Sequence, residues 1–142
     1  MLDGGLDLLL LADEQENMID KYLEGGTLFA LYDRDLKSTC VVTIEGGNTY
    51  EIQSLATYPQ FQGKGYGRYL VDYVCNYFSY NGGTMVIAAD DSPLTVPFYE
   101  NCGFVFSHRI ENYFLEYYDN LIIEAGVQIK DKVHLTKALK AV

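Results

Sequence analysis

Residues 55–74 read LATYPQFQGKGYGRYLVDYV, and Gly63, Gly65 and Gly67 leave the middle of this stretch almost without side chains. Before it, residues 49–57 alternate as a strand does, with Glu51, Gln53 and Leu55 expected on one face and Tyr50, Ile52 and Ser54 on the other. After it, Leu70, Val71, Val74, Cys75 and Phe78 recur at helical spacing and predict an amphipathic helix over 67–80. A helix N-terminus presents unpaired N–H groups and the positive end of the helix dipole. Glycines ahead of it let bare backbone approach an anion in conformations that a Cβ forbids. Strand, QGKGYG and helix therefore read as a phosphate or pyrophosphate cradle with Lys64 and Arg68 beside it, or else as an ordinary strand-to-helix turn. The Walker A spacing GxxxxGK[ST] does not fit, and the dinucleotide pattern GxGxxG would need its third glycine one place later.

The remaining pattern alternates helices and strands around this unit. Residues 6–12 are leucine-rich and read as a helix, with a strand as the alternative, and a second helix is expected over 13–23 with Gly25 and Gly26 as its stop. Residues 27–32 and 38–45 are rich in aromatic or β-branched side chains and read as strands joined through the polar DRDLK, followed by a turn at Gly46-Gly47-Asn48. Residues 84–89 predict a short, largely apolar strand covered on both faces. A short helix over 96–102 stops at Gly103, two further strands are expected over 104–109 and 128–135, and Tyr113 and Tyr117 share a helix face between them. The chain of 142 residues reads as one compact α/β domain spanning 1–142.

Charge and cysteine content narrow the partners. A net charge of −10 makes nucleic acid a poor partner, because such binding neutralises phosphates with Lys and Arg, and it favours a cationic or amine ligand instead. Asp90 and Asp91 lie in a loop where they either attract an amine or are simply solvated. Cys40, Cys75 and Cys102 are widely spaced and odd in number, which predicts free thiols in a reducing compartment, no zinc site and a cytoplasmic location. The apolar run at 6–12 is too short to span a bilayer, so no membrane association is expected.

Three short segments carry a resemblance to a known family. Gln62-Gly63-Lys64-Gly65-Tyr66-Gly67 matches the Q/R-x-x-G-x-G/A motif of the GNAT superfamily of N-acetyltransferases, residues 55–59 resemble its L-x-V-x-P strand ending, and residues 98–104 match its F-Y-x-x-x-G-F segment. The likeness covers residues 27–110 well, and the C-terminal part loosely resembles one small bacterial subgroup. It implies an α/β (α+β) fold with a mixed, mostly antiparallel central sheet flanked by helices, here with the first strand missing or truncated. It also implies transfer of an acetyl group from acetyl-coenzyme A to a primary amine, on a small molecule, a peptide or a protein, directly within a ternary complex. The alternative is a coenzyme-A-binding regulatory or sensor module without turnover. A homodimer is expected from exposed strand edges and the thirteen tyrosines.

The resemblance assigns roles by motif position. Gln62, Gly63, Lys64, Gly65, Tyr66, Gly67 and Arg68 would hold the pyrophosphate, and Leu55, Ala56 and Thr57 would offer backbone groups to the pantetheine arm, one N–H polarising the thioester carbonyl. Glu51, eleven positions before Gln62, stands where several members carry a general base, and would otherwise be a strand carboxylate with structural partners. Tyr99 matches a tyrosine that protonates the departing thiolate, and would otherwise be a packed core residue. Ser92 replaces an asparagine that faces the pantetheine, and Pro97 requires the following helix to start late or kink. His108 and His134 are isolated in sequence and read as structural or exposed, and Cys102 reads as a small buried residue rather than a nucleophile.

Overall fold

β-Branched and aromatic residues, broken at glycine and asparagine, build the first three strands of the computed structural model, which describes residues 25–140. The helices expected at 6–12 and 13–23, and the first strand expected to be missing or truncated, fall outside the described residues. Strands β1 (Gly26–Asp33), β2 (Asp35–Gly46) and β3 (Thr49–Thr57) form an antiparallel meander. The expected DRDLK connection tightens to Arg34 alone, held at φ +70°. Gly46, Gly47 and Asn48 all take positive φ and close the second turn, a conformation these residue types adopt at low cost.

Helix α1 (Tyr66–Tyr77) follows the glycine loop, and β4 (Thr84–Asp90), helix α2 (Thr95–Asn101) and β5 (Val105–Ile110) come next. The helix ends before residue 80 because the chain turns at Phe78, whose N–H still bonds the Val74 carbonyl at 3.1 Å. Pro97 does not break α2. It lies in the first turn, where backbone N–H groups lack intrahelical partners anyway. The strand expected over 128–135 divides in two. Ala125 and Gly126, at φ +50° and +76°, turn β6 (Ile122–Glu124) onto β7 (Val127–Ile129), and β8 (Lys132–Ala138) is separate. Tyr113 and Tyr117 do share the short helix α3 (Tyr113–Tyr117), their rings 4.8 Å apart.

The main sheet runs in the order β1-β2-β3-β4-β8-β5, mixed and mostly antiparallel. Among these ladders β3–β4 is parallel, and it runs only from Thr49–Thr84 to Ile52–Ile87. Beyond that rung the two strands part. At the same level Gln53 bulges from β3, since Val42 faces Ile52 while Val41 faces Ser54. The bulge corrects the simple alternation: Leu55 turns to the core with Cys40, and Ser54 turns to the face of Glu51 with Val41.

The core lies on one side of the sheet. Cys40, Val42, Ile52, Met85, Ile87 and Leu135 pack there against Leu70, Val71, Val74 and Cys75 of α1 and against Tyr99, Cys102 and Phe104. Burying an aliphatic side chain of this size contributes about 1.5–3 kcal/mol, so this layer anchors both helices that flank the site. By register, the opposite face carries Thr43, Glu51, Gln53, Ser54, Val86, Ala88, Lys132, His134 and Thr136. One face of the sheet is apolar and packed, and the other is largely polar.

Candidate functional site

The glycine loop has the backbone its sequence demands. Gly63 and Gly65 sit at φ +77° and +89°, and Gly65 is the N-cap of α1, its carbonyl accepting from the Tyr69 N–H at 3.0 Å. No atom lies within 4 Å of the point where a Cβ would stand on either residue, so the space over the loop is clear. Gly67 differs. A Cβ there would meet the Phe98 ring and Thr57 Oγ1 at 3.5 Å, because this residue faces inward. The first N–H groups of α1 and the exposed Lys64 and Arg68 surround the opening with positive potential. The arrangement fits a pyrophosphate.

Neighbouring side chains hold the loop in place. Gln62 Nε2 donates to the Thr57 carbonyl at 3.1 Å, which ties the loop back to the end of β3. Thr57 Oγ1 shares a 2.6 Å hydrogen bond with Ser38 Oγ. The Tyr66 hydroxyl donates to Asp33 Oδ2 at 2.7 Å, and this bond raises the Tyr66 pKa. Lys37, nearly buried, places Nζ 3.5 Å from the Phe61 ring centroid and so supports the loop from beneath through a cation–π contact.

From this loop, the gap between the diverging strands leads toward Glu51. Leu55, Ala56 and Thr57 lie on β3 past its last β4 partner, so backbone groups turned to that side are unclaimed by the ladder. Glu51 stands one rung before the divergence, facing Val86 on β4 and Thr43 on β2. Burial and the charge of Glu45 raise its pKa, against the opposing pull of Lys132 and a hydrogen bond from Gln53. Gln53 Nε2 also donates to Thr43 Oγ1 at 3.0 Å, and Thr43 donates to Glu45 Oε2 at 2.6 Å. A raised carboxylate pKa suits a base that must take a proton near neutral pH.

Tyr99 lies on the core side of the sheet. It is 5% exposed, its ring lies 5.0 Å from Phe98 and 5.6 Å from Phe104, and burial raises its pKa well above that of a free phenol. The hydroxyl therefore keeps its proton at neutral pH. Ser92 is buried at the end of β4, its Oγ accepting from the Leu94 N–H at 3.1 Å while its own N–H donates to Asp90 Oδ1 at 3.0 Å. Asp91 accepts the Lys130 N–H at 3.1 Å, which gives it a structural partner. The three cysteines are unpaired and buried. Burial raises the Cys102 thiol and pushes Cys75 up to about 11, so neither is an activated nucleophile.

The sequence pattern did not single out several residues at the site. Gln53 and Thr43 join the Glu51 network, and Lys132 acts on Glu51 from β8. His108 and His134, distant in sequence, stack with centroids 4.2 Å apart and planes 11° apart because β5 pairs with β8. No local signal marks these residues, since their proximity is a product of strand order. A glutamine two places from a strand glutamate was the one available hint.

Comparison with known proteins agrees with this geometry. The family model described as an acetyltransferase (GNAT) domain matches residues 10–135. An N-acetyltransferase of Bacillus subtilis, YvbK, is 33% identical over 132 residues, covering 91% of this chain and 85% of its own. A GNAT family acetyltransferase from Elizabethkingia anophelis, solved with acetyl-CoA bound, superposes with a TM-score of 0.85 at 30% identity, over 94% of this chain and 89% of that one. A Bacillus subtilis acetyltransferase in complex with CoA gives 0.84 at 29% identity, over 98% and 94%. An IAA acetyltransferase from Bacillus cereus gives 0.88 at 27% identity, over 94% and 91%. With the glycine cradle, the parted strands and the family match in agreement, the chain belongs to the GNAT acetyltransferases, acyltransferases whose co-substrate is acetyl-coenzyme A.

Proposed function

We propose that this protein acetylates a primary amine, on a small molecule, a peptide or a protein, by direct transfer within a ternary complex. Acetyl-coenzyme A supplies the acetyl group as an activated thioester. The observation that carries the reading is Glu51 at the mouth of the gap between β3 and β4, with its pKa raised. The N–H groups at the start of α1, with Gln62, Lys64 and Arg68, hold the pyrophosphate. Backbone groups of Leu55, Ala56 and Thr57 align the pantetheine, and one N–H there polarises the carbonyl. Ser92 stands toward the pantetheine in place of an asparagine.

Glu51 accepts the proton that the acceptor ammonium must lose, at a carboxylate oxygen, directly or through water. Tyr99 Oη, protonated at neutral pH, donates to the departing sulfur. Tyr99 holds the protonated form its role requires, and it packs on the core side of the sheet while Glu51 lies on the other face. The same reading takes the enzyme as cytoplasmic, on its three unpaired thiols, and as a homodimer, on the exposed edge strand β5.

Calorimetric titration with acetyl-coenzyme A, followed by thiol release with a panel of primary amines, tests the reading. Tight binding with amine-dependent thiol release is expected. Binding without release from any amine would instead make this a coenzyme-A-binding module, and no binding at all would remove the reading.

A further inference from the structure

Among the described residues, three buried side-chain polar atoms have no hydrogen-bond partner: Thr39 Oγ1, Ser54 Oγ and His134 Nε2. All three lie on the sheet face of Glu51, and none lies on the packed face. Ser54 faces Val41 just past the β3 bulge, and Thr39 follows on β2 opposite Ala56. His134 faces Ala88, the first β4 residue beyond the end of the β3–β4 ladder. Ser54 thus stands on the β3 side of the opening, and His134 stands one strand beyond its β4 side, next to Ala88 on the same face. Ser54 is 4% exposed and Thr39 1% exposed, so water does not satisfy them in bulk.

Buried polar atoms are nearly always paired, so each unpaired one in a native protein calls for an explanation, and a bound ligand that brings the missing partner is one. The His134 ring is fixed for such a task. It stacks on His108, whose Nδ1 lies 3.0 Å from Ser107 Oγ, and Lys132 lies on the same strand face. Burial, His108 and Lys132 all lower its pKa, which leaves a neutral ring able to donate or accept at Nε2 according to its tautomer.

We propose that Ser54 and His134 form the acceptor-reading half of the site, and that the acceptor is a primary amine carrying a hydroxyl or amide group of its own. The inference rests on the acetyl-transfer reading above and extends it to the acceptor's class. An alkyl amine filling the same space would leave both atoms buried and unpaired, and a site built around such groups rejects ligands that cannot satisfy them.

The test compares matched amines in the thiol-release assay: tyramine with phenethylamine, 5-amino-1-pentanol with hexylamine, and serinamide with isobutylamine. Wild type should favour the hydroxyl- or amide-bearing member by about 10-fold or more in kcat/KM. Ser54→Ala and His134→Ala should each shrink that preference at least fivefold, mainly through the KM of the polar amine, and His134→Gln should restore part of it. Acetyl-coenzyme A binding by calorimetry serves as the folding control. Equal use of both members by wild type, or a preference untouched in both alanine variants, overturns the proposal while leaving acetyl transfer standing. If acetyl-coenzyme A binds but none of the amines is acetylated, the acetyl-transfer reading fails and the acceptor assignment falls with it.

Discussion

Ile52 and Ile87 are the last facing residues of the β3–β4 ladder, and Glu51 stands one rung behind them. The carboxylate therefore projects from the paired sheet one rung short of the opening. Glu51→Gln should lower kcat by roughly 10²-fold or more while leaving acetyl-coenzyme A affinity within about twofold. Because burial raises the Glu51 pKa, the acid limb of the wild-type rate profile should lie above the range of an ordinary glutamate. Stability follows the opposite sign. A raised folded pKa favours the protonated form, so its contribution is fully present at low pH and is lost as pH rises through the folded value. The Gln variant should then melt no lower than wild type at neutral pH, a comparison that thermal unfolding reads directly.

Tyr99 fills a core position between Phe98 and Phe104 and also carries the hydroxyl assigned to the leaving sulfur. Tyr99→Phe keeps the ring, so near-UV dichroism and melting temperature should change little. Turnover should fall by roughly 10- to 10²-fold if the phenol donates its proton. Since its pKa is raised, the variant and wild type should share the same acid limb in their pH profiles. Unchanged kcat would reduce Tyr99 to a packing residue.

The loop glycines should separate by conformation. Gly65 holds φ +89°, so Gly65→Ala should cost about 1–2 kcal/mol of stability and raise the acetyl-coenzyme A Kd roughly tenfold. Gly67 lies inside α1, and its Cβ would make ordinary contact with Phe98 and Thr57. Gly67→Ala should therefore be neutral or stabilise by up to about 1 kcal/mol, with Kd nearly unchanged. Paired calorimetry on the two variants reads both effects.

Gly83 is the tightest glycine position in the described residues. At φ +108°, a Cβ there would overlap the Asn48 carbonyl oxygen, which already accepts the Thr84 N–H at 2.9 Å. Gly83→Ala should destabilise by about 3 kcal/mol, lowering the melting temperature by roughly 10 °C. A loss below about 1 kcal/mol would show that the junction between β4 and the β2–β3 turn yields easily.

Local chemistry made part of this protein legible. Strand β3 falls at its expected residues, and α1 follows from the spacing of Leu70, Val71, Val74 and Cys75. The β6–β7 hairpin is not legible in the sequence because Ala125-Gly126 is a weaker turn signal than Asn-Gly or Asp-Gly. Simple alternation puts Leu55 and Ser54 on the wrong faces because the bulge arises from pairing with β2, and nothing in the isolated strand marks it.

The sequence by itself determined the donor side of the site. Three glycines between a strand and an amphipathic helix require bare amides at a helix N-terminus, and that requirement is local. Only the tertiary structure decided the proposed acceptor side. Inserting β8 between β4 and β5 carries Lys132 and His134 onto the face of Glu51, and the parting of β3 from β4 sets Ser54 opposite them. Those relationships depend on register between strands far apart in the chain, which no local propensity encodes.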